Sequence, residues 1–208
     1  ITLVDAERSF RLSPKLNAHL DLRGSIVSKT GGIVGVSDHG GWAVLVTVAR
    51  DGTLLDRRRV ELVDDDLPAI PHHHEAQSLP LDEATALIER VRVSAARHAA
   101  VALNAVATAV PNIRGIALRD YQPLPPTIAG RLKNSRARHV ADWVMYRKAL
   151  ADAAEARGWS VHFYDPKKVF AAASQALRVD FDVRFLQMRS AFGPPWNNDH
   201  KLAMAAAM

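Results

Sequence analysis

Three short runs rich in β-branched residues follow one another between residues 33 and 63, and they constrain the fold more than any other feature. The first run covers residues 33–38, the second residues 41–49 and the third residues 53–63. His39-Gly40 and Asp51-Gly52 separate the runs, and Asp-Gly between two such runs is a strong signal for a hairpin turn. The pattern predicts three antiparallel strands in meander order.

Helical and strand-like segments alternate after these strands. Residues 81 to about 110 repeat apolar side chains at intervals of three and four, which predicts a long buried helix. Residues 113–118 predict a strand, residues from about 137 to 157 a helix, residues 159–164 a strand, and residues 167 to about 177 a helix. Residues 178–195 are less regular, and residues 197–208 predict an alanine-rich helix. The order predicts an α/β domain whose mixed sheet, a three-strand antiparallel meander plus two further strands, is flanked by helices.

The remaining segments predict an extension and two loops. Residues 1–30 show no sustained period and are predicted to be an N-terminal extension of a domain that covers residues 31–208. Residues 64–78 predict a loop that contains His72, His73 and His74. Adjacent residues rarely point at one ion, so we interpret the histidines as part of a polar loop and not as a zinc site. Residues 131–139 predict a basic loop.

Composition excludes several classes of protein. The 208 residues include no cysteine, which excludes a disulfide scaffold, a cysteine nucleophile and a cysteine zinc site, and fits a cytoplasmic protein. No run of about 18 apolar residues is present, so we expect no membrane partner. The 27 basic and 22 acidic residues give a net charge of +5, a modest excess that is compatible with nucleic-acid binding without requiring it.

The element order and three short segments resemble the ribonuclease H-like superfamily, and among its members the RuvC-type resolvases most. The segments are GVSDHG at residues 35–40, IALRD at residues 116–120 and NNDHKLAMAAA at residues 197–207. The resemblance covers roughly residues 31–208. It implies a metal-dependent endonuclease or resolvase that uses Mg²⁺ or Mn²⁺ to hydrolyse phosphodiesters in structured nucleic acid, with DNA expected rather than RNA and a homodimer as the expected assembly.

Two other functions stay open on the sequence. The first is a ribonuclease H-like module that has lost catalysis and serves as a nucleic-acid-binding or assembly part. The second is a small-molecule enzyme or accessory protein on the same scaffold, because a fold does not determine a function.

The resemblance also implies a set of site residues. In this superfamily an acid on the first strand, an acid at the end of the fourth strand and an acid or histidine on the last helix hold divalent cations. Two metal ions about 4 Å apart need several hard oxygen ligands. The resemblance therefore implies Asp38, Asp120 and Asp199 as metal ligands, with His200 as the alternative to Asp199, and these four as catalytic residues.

The first acid departs from the superfamily pattern by one residue. The acid usually stands two residues after a glycine, whereas Asp38 stands three residues after Gly35, with Val36 and Ser37 between them. Because side chains alternate along a strand, this shift turns Asp38 to the other face unless a bulge restores it. Asp38 and Asp120 are also suited to turns and loops, and Asp199 to a helix N-terminus.

The predicted basic loop supplies candidate phosphate contacts. Its cations follow the strand that bears Asp120, and they are Arg131, Lys133, Arg136 and Arg138. Arg57, Arg58 and Arg59 form a weaker patch because alternation sends Arg58 to the opposite face. Trp196 is a candidate either for the core or for stacking on a base.

Overall fold

The computed structural model describes residues 31–178 and 180–208, and the predicted extension over residues 1–30 lies outside them. The strands of the described part are β1 (Gly32–Asp38), β2 (Trp42–Val48), β3 (Leu54–Glu61), β4 (Ile113–Arg119) and β5 (Ser160–Tyr164). Its α-helices are α1 (Leu81–Ala109), α2 (Ile128–Lys133), α3 (Ser135–Glu155), α4 (Val169–Leu177), α5 (Phe181–Phe192) and α6 (Asn198–Ala206). None of the described helices is long and apolar enough to cross a membrane.

The five strands form one mixed sheet in the order β3-β2-β1-β4-β5. The β1–β2 and β2–β3 pairs are antiparallel, and the β1–β4 and β4–β5 pairs are parallel. The parallel pairs require crossover connections, which α1 and α3 provide. A meander whose first strand continues in parallel with two further strands is the ribonuclease H-like arrangement, so the predicted fold class is confirmed.

Helices cover both faces of the sheet. On one face, β1 side chains such as Val34 and Val36 pack with α1 and α3. On the other face, β2 side chains such as Val44 and Val46 pack with α4, α5 and α6. The two faces of the sheet therefore carry separate apolar cores, and each β1 side chain belongs to one or the other.

The last helix approaches β1 unusually closely at Gly35. A Cβ atom at this position would lie 1.8 Å from the backbone oxygen of Ala203, so no larger residue fits while α6 stays in place. This contact sets α6, which begins with Asn198, against the face of β1 that carries Gly35 and Ser37.

Two segments differ from the sequence prediction. The basic segment 131–139 is not a loop, because α2 ends at Lys133 and α3 begins at Ser135. The side chain of Asn134 accepts a hydrogen bond from the backbone N–H of Ala137 and so starts α3 within that segment. Residues 178–195 contain α5, which Asp180 caps by accepting hydrogen bonds from the backbone N–H groups of Asp182 and Val183.

Candidate functional site

The carboxylate of Asp38 is buried in an ion pair at the end of β1. Nε of Arg147, on α3, donates to Oδ2 of Asp38 over 2.8 Å. Asp38 is 2% exposed and Arg147 is 7% exposed, so the pair is largely removed from water. Oδ1 of Asp38 has no hydrogen-bond partner among the described residues. Asp38 therefore belongs to the face of the sheet that α1 and α3 cover.

Asp199 lies on the opposite face, where it contacts the two residues that flank Asp38. Oγ of the buried Ser37 donates to Oδ1 of Asp199 over 3.0 Å, and Nε2 of His39 lies 2.7 Å from the same oxygen. The His39 ring stacks on Trp42 with centroids 3.9 Å apart. The position that faces Asp199 on β1 is therefore a serine.

The register of β1 explains this division. The β1–β2 pairing runs without interruption from Ile33 to Asp38, so no bulge between these strands compensates the one-residue shift seen in the sequence. Because consecutive side chains of a strand point to opposite faces, Ser37 takes the position facing α6 and Asp38 turns towards α3.

Asp120 lies at the same edge of the sheet but is exposed. Its backbone N–H donates to the carbonyl of Tyr164, and its carboxylate accepts from the backbone N–H of Tyr121 over 2.8 Å. It lines a pocket of about 400 Å³, the edge pocket, at the carboxyl ends of β4 and β5. The polar lining side chains include Asp120, Gln122, Arg136, Arg147 and Asp165.

Burial of Tyr164 at this edge raises the pKa of its hydroxyl to about 12, an effect that the positive charge of Arg119 partly opposes. The hydroxyl donates to the carbonyl oxygen of Val36 over 2.7 Å. Tyr164 therefore stays protonated at neutral pH and supports β1 just before Ser37 and Asp38.

His200 takes part in starting α6. Asn197 and His200 form a reciprocal capping box, in which the Asn197 side chain accepts from the backbone N–H of His200. Burial lowers the pKa of His200, as does the positive charge of Arg57, while Asp199 acts in the opposite direction. The lowered pKa favours a neutral imidazole whose Nδ1 faces Asn197.

The four predicted phosphate-binding cations differ in their availability. Lys133 and Arg136 are exposed, and Arg138 is half-buried. Arg131 donates from Nε to the carbonyl of Pro125 and from Nη2 to that of Pro126, so part of its guanidinium is engaged with the protein.

Arg57 and Trp196 have structural partners on the α4–α6 face. Arg57 donates to four backbone carbonyls in the segment 192–195. Its guanidinium lies 4.8 Å from the centre of the Trp196 ring, which is buried against Phe185. Trp196 is therefore a core residue and offers no free face for stacking on a base.

A buried histidine–aspartate pair has no counterpart in the sequence motifs. Nδ1 of His72 lies 2.7 Å from Oδ1 of Asp142 on α3, and both side chains are fully buried. The same carboxylate accepts from the backbone N–H groups of His72 and His73. The partners are 70 residues apart in sequence, so no local motif connects them.

The candidate metal ligands do not come together in the way that the resemblance implies. Among residues 31–178 and 180–208, no three histidine or acidic side chains are grouped so that they could hold a metal ion. Asp38 and Asp199 are separated by the strand, and Asp120 is engaged with a loop N–H. These residues do not fit a shared two-metal site, and their catalytic and metal-binding roles stay predictions.

The strand order and strand pairing give the described part of the chain a ribonuclease H-like α/β fold. No sequence model of a known family matches the chain, and no curated protein matches it. Among solved structures the chain is similar to RuvC of T. thermophilus in complex with a Holliday junction substrate, with 15% identity, a TM-score of 0.47, and coverage of 85% of this chain and 90% of that one. A further Thermus thermophilus RuvC structure has 14% identity and a TM-score of 0.45, with the same coverage of both chains. The similarity is one of fold.

Proposed function

We propose that the chain is a ribonuclease H-like module that binds nucleic acid, with DNA as the first candidate, and does not hydrolyse it. The ion pair between Asp38 and Arg147 is the observation that supports this proposal. A guanidinium 2.8 Å from the carboxylate neutralises it and opposes the approach of a second cation. Since Ser37 faces Asp199, the opposite face lacks a second carboxylate at the matching position of β1.

The cations around the start of α3 supply the proposed contacts with phosphates. Lys133 and Arg136 are exposed, Arg136 also lines the edge pocket, and Arg138 follows within the first turn of α3. The first turn of a helix also presents free backbone N–H groups and the positive end of the helix dipole. Such contacts position a nucleic-acid backbone without reading its sequence.

The test measures the affinity of the chain for a labelled DNA duplex and a labelled four-way junction as a function of salt. Each phosphate contact adds about 0.9 to the slope of log K against log salt for duplex DNA. We expect that replacing Lys133, Arg136 and Arg138 together by Gln weakens binding and lowers this slope by about 2 to 3.

The matched control is a triple variant that removes the same charge elsewhere. Arg90, Arg114 and Arg189 are exposed and lie on α1, on the amino-terminal part of β4 and on α5. Their replacement by Gln is expected to leave most of the affinity intact. Equal weakening by the two triple variants, or no DNA binding by the unmodified chain, would contradict the proposal.

The same DNA molecules incubated with Mg²⁺ or Mn²⁺ test the hydrolytic alternative. We expect both to remain uncut. Cleavage that Asp120→Asn abolishes would establish the metal-dependent nuclease instead, because Asp120 is exposed and its replacement leaves the buried core unchanged. Light scattering of the unmodified chain tests the homodimer that the resemblance implies.

A further inference from the structure

The edge pocket at the carboxyl ends of β4 and β5 has the position and the size of a ligand site. Ligands of open α/β sheets bind in the crevice outside the carboxyl ends of parallel strands, and β4 and β5 are such a pair. The volume of about 400 Å³ lies in the range of sites for small organic molecules. Its apolar side chains, which suit the faces of a planar ring, are Tyr121, Val140, Val144 and Pro166.

Arg147 offers free hydrogen-bond donors to the edge pocket. Its Nε is engaged with Asp38, whereas no described residue accepts a hydrogen bond from Nη1 or Nη2. Arg147 lines the pocket and keeps 7% of its surface exposed, and neither Nη atom is among the fully enclosed polar atoms of the described residues. The two Nη atoms are therefore available to a ligand. A guanidinium stays protonated in proteins, so both atoms are donors.

Asp120 and Arg136 contribute the charges of the lining that are not paired. Asp165 lies 3.8 Å from Nζ of Lys168, and Arg147 has its partner in β1. Asp120 and Arg136 are exposed, and neither forms an ion pair with a described residue. One oxygen of Asp120 accepts from the backbone N–H of the next residue, and no described group donates to the other oxygen. The pocket therefore offers a ligand one carboxylate and one guanidinium, beside the Nη donors of Arg147.

A guanine nucleotide has the complementary groups. Guanine presents two adjacent acceptors, N7 and O6, which one guanidinium can bind together. It also presents two adjacent donors, N1–H and N2–H, which one carboxylate can accept together. Adenine, cytosine and thymine each lack at least one of these pairs. The phosphate of the nucleotide supplies an anion for a second guanidinium.

We propose that the edge pocket binds a single guanine nucleotide. Arg147 donates from its Nη atoms to N7 and O6, Asp120 accepts from N1–H and N2–H, and Arg136 pairs with the phosphate. The inference rests on the proposed function for the source of the nucleotide, which is an unpaired position in the bound strand.

The first test measures the binding of free mononucleotides by isothermal titration. The unmodified chain is expected to bind dGMP at least about tenfold more tightly than dAMP, dCMP or dTMP. Failure to bind dGMP at concentrations up to about 10 mM, or equal affinities for the four mononucleotides, overturns the proposal.

Two analogues of dGMP assign the contacts without disturbing the buried ion pair of Arg147. dIMP lacks the N2 amino group that Asp120 would bind, and 7-deaza-dGMP lacks the N7 acceptor that Arg147 would bind. Each analogue is expected to bind the unmodified chain about tenfold more weakly than dGMP. Asp120→Asn has one acceptor oxygen in place of two, so it should lose the preference for dGMP over dIMP and keep that over 7-deaza-dGMP. An unchanged preference over dIMP in this variant overturns the contact with Asp120.

A bulky substitution tests the location of the site. Val140 is 40% exposed and lines the edge pocket, so the indole of Val140→Trp would occupy part of its volume. The matched control is Val93→Trp, at an exposed position of α1 that does not line this pocket. We expect Val140→Trp alone to weaken dGMP about tenfold, and equal binding by the two variants overturns the site.

A labelled duplex with one unpaired guanine, compared with the same duplex carrying an unpaired thymine, tests the source of the nucleotide. The guanine duplex is expected to bind about tenfold more tightly, and Asp120→Asn should remove most of this difference. Equal affinities would exclude the bound strand as the source. DNA binding without dGMP binding overturns this inference and leaves the proposed function in place, whereas dGMP binding without DNA binding does the opposite.

Discussion

Asp38 and Asp199 lie on opposite faces of strand β1, with Arg147 bound to the first and Ser37 bound to the second. The one-residue shift of Asp38 from the superfamily pattern produces this separation, because the β1–β2 pairing continues to Asp38 without a bulge. Each carboxylate has its side-chain partner on its own face of the strand, and this relationship leads to the first two predictions.

Breaking the buried pair is expected to be costly. Asp38→Asn leaves a buried guanidinium without its counter-charge, and Arg147→Met leaves a buried carboxylate in the same condition. Each single change is expected to lower the free energy of unfolding by about 3–5 kcal/mol, measured by urea denaturation. The double variant should lose clearly less than the sum of the two single losses. Additive losses would show that the two side chains are not coupled.

Placing an acid at the position that faces Asp199 is expected to make the stability of the chain depend on a metal ion. Ser37→Asp sets a carboxylate against Oδ1 of Asp199, which lowers the midpoint temperature of unfolding (Tm) when no metal is present. Mn²⁺ should raise the Tm of this variant because it binds the new pair of carboxylates. The uncharged Ser37→Asn variant is the control, and an equal Mn²⁺ response in both variants would contradict this prediction.

The stability of the chain is expected to depend on His200 below neutral pH. The folded state lowers the pKa of His200 below its usual value of 6.5, so the unfolded chain takes up the proton first. The contribution of the neutral ring is therefore present above pH 6.5 and is lost as the pH falls below it. The loss cannot exceed about 1.4 kcal/mol per pH unit.

Urea unfolding of the unmodified chain and of His200→Gln, at about pH 7.5 and about pH 5, measures this contribution. Glutamine keeps the capping role at the third position of α6 and does not titrate. The unmodified chain should lose more stability than the variant on going to the lower pH. The same pH dependence in both proteins would exclude His200 as the cause.

The close contact between β1 and α6 predicts a large effect of one methyl group. Gly35→Ala would bring Cβ to 1.8 Å from the oxygen of Ala203 and 2.8 Å from the nitrogen of Ala207. We expect a loss of at least about 3 kcal/mol in the free energy of unfolding, because both clashing atoms belong to the backbone.

Gly158→Ala provides the comparison for that measurement. Gly158 has a φ of +73°, and among the described residues no atom beyond its chain neighbours lies within 4 Å of a Cβ built there, so the cost is that of the left-handed backbone alone, about 1–2 kcal/mol. Similar losses in the two alanine variants would mean that α6 can move away from β1.

Much of the fold could be predicted because it depends on local signals. The three strands of the meander, α1 and β4 follow hydrophobic periods and turn residues that the sequence displays directly. Helix α5 was missed because its apolar Val183 and Leu186 are exposed, which blurs the period of its buried face. The start of α3 was missed because its cations suggested a loop, whereas Asn134 caps a helix there.

The candidate site could be predicted only in part. The sequence predicts Asp38 at the end of a strand and shows the one-residue shift that would turn its side chain to the other face. Only the pairing register of β1 with β2 shows that no bulge between these strands reverses the shift. Arg147 is 109 residues away from Asp38, and Asp142 is 70 residues away from His72. Such partners are brought together by the packing of α3, which no local pattern specifies.

The position of α6 also affects how the chain is made. Helix α6 follows the strand β1 that it covers by about 160 positions in the chain, as the contact between Ser37 and Asp199 shows. At 5–20 residues per second, a ribosome needs roughly 8–32 s to add that much chain. During synthesis the part of the β1 face that α6 covers stays exposed for that time.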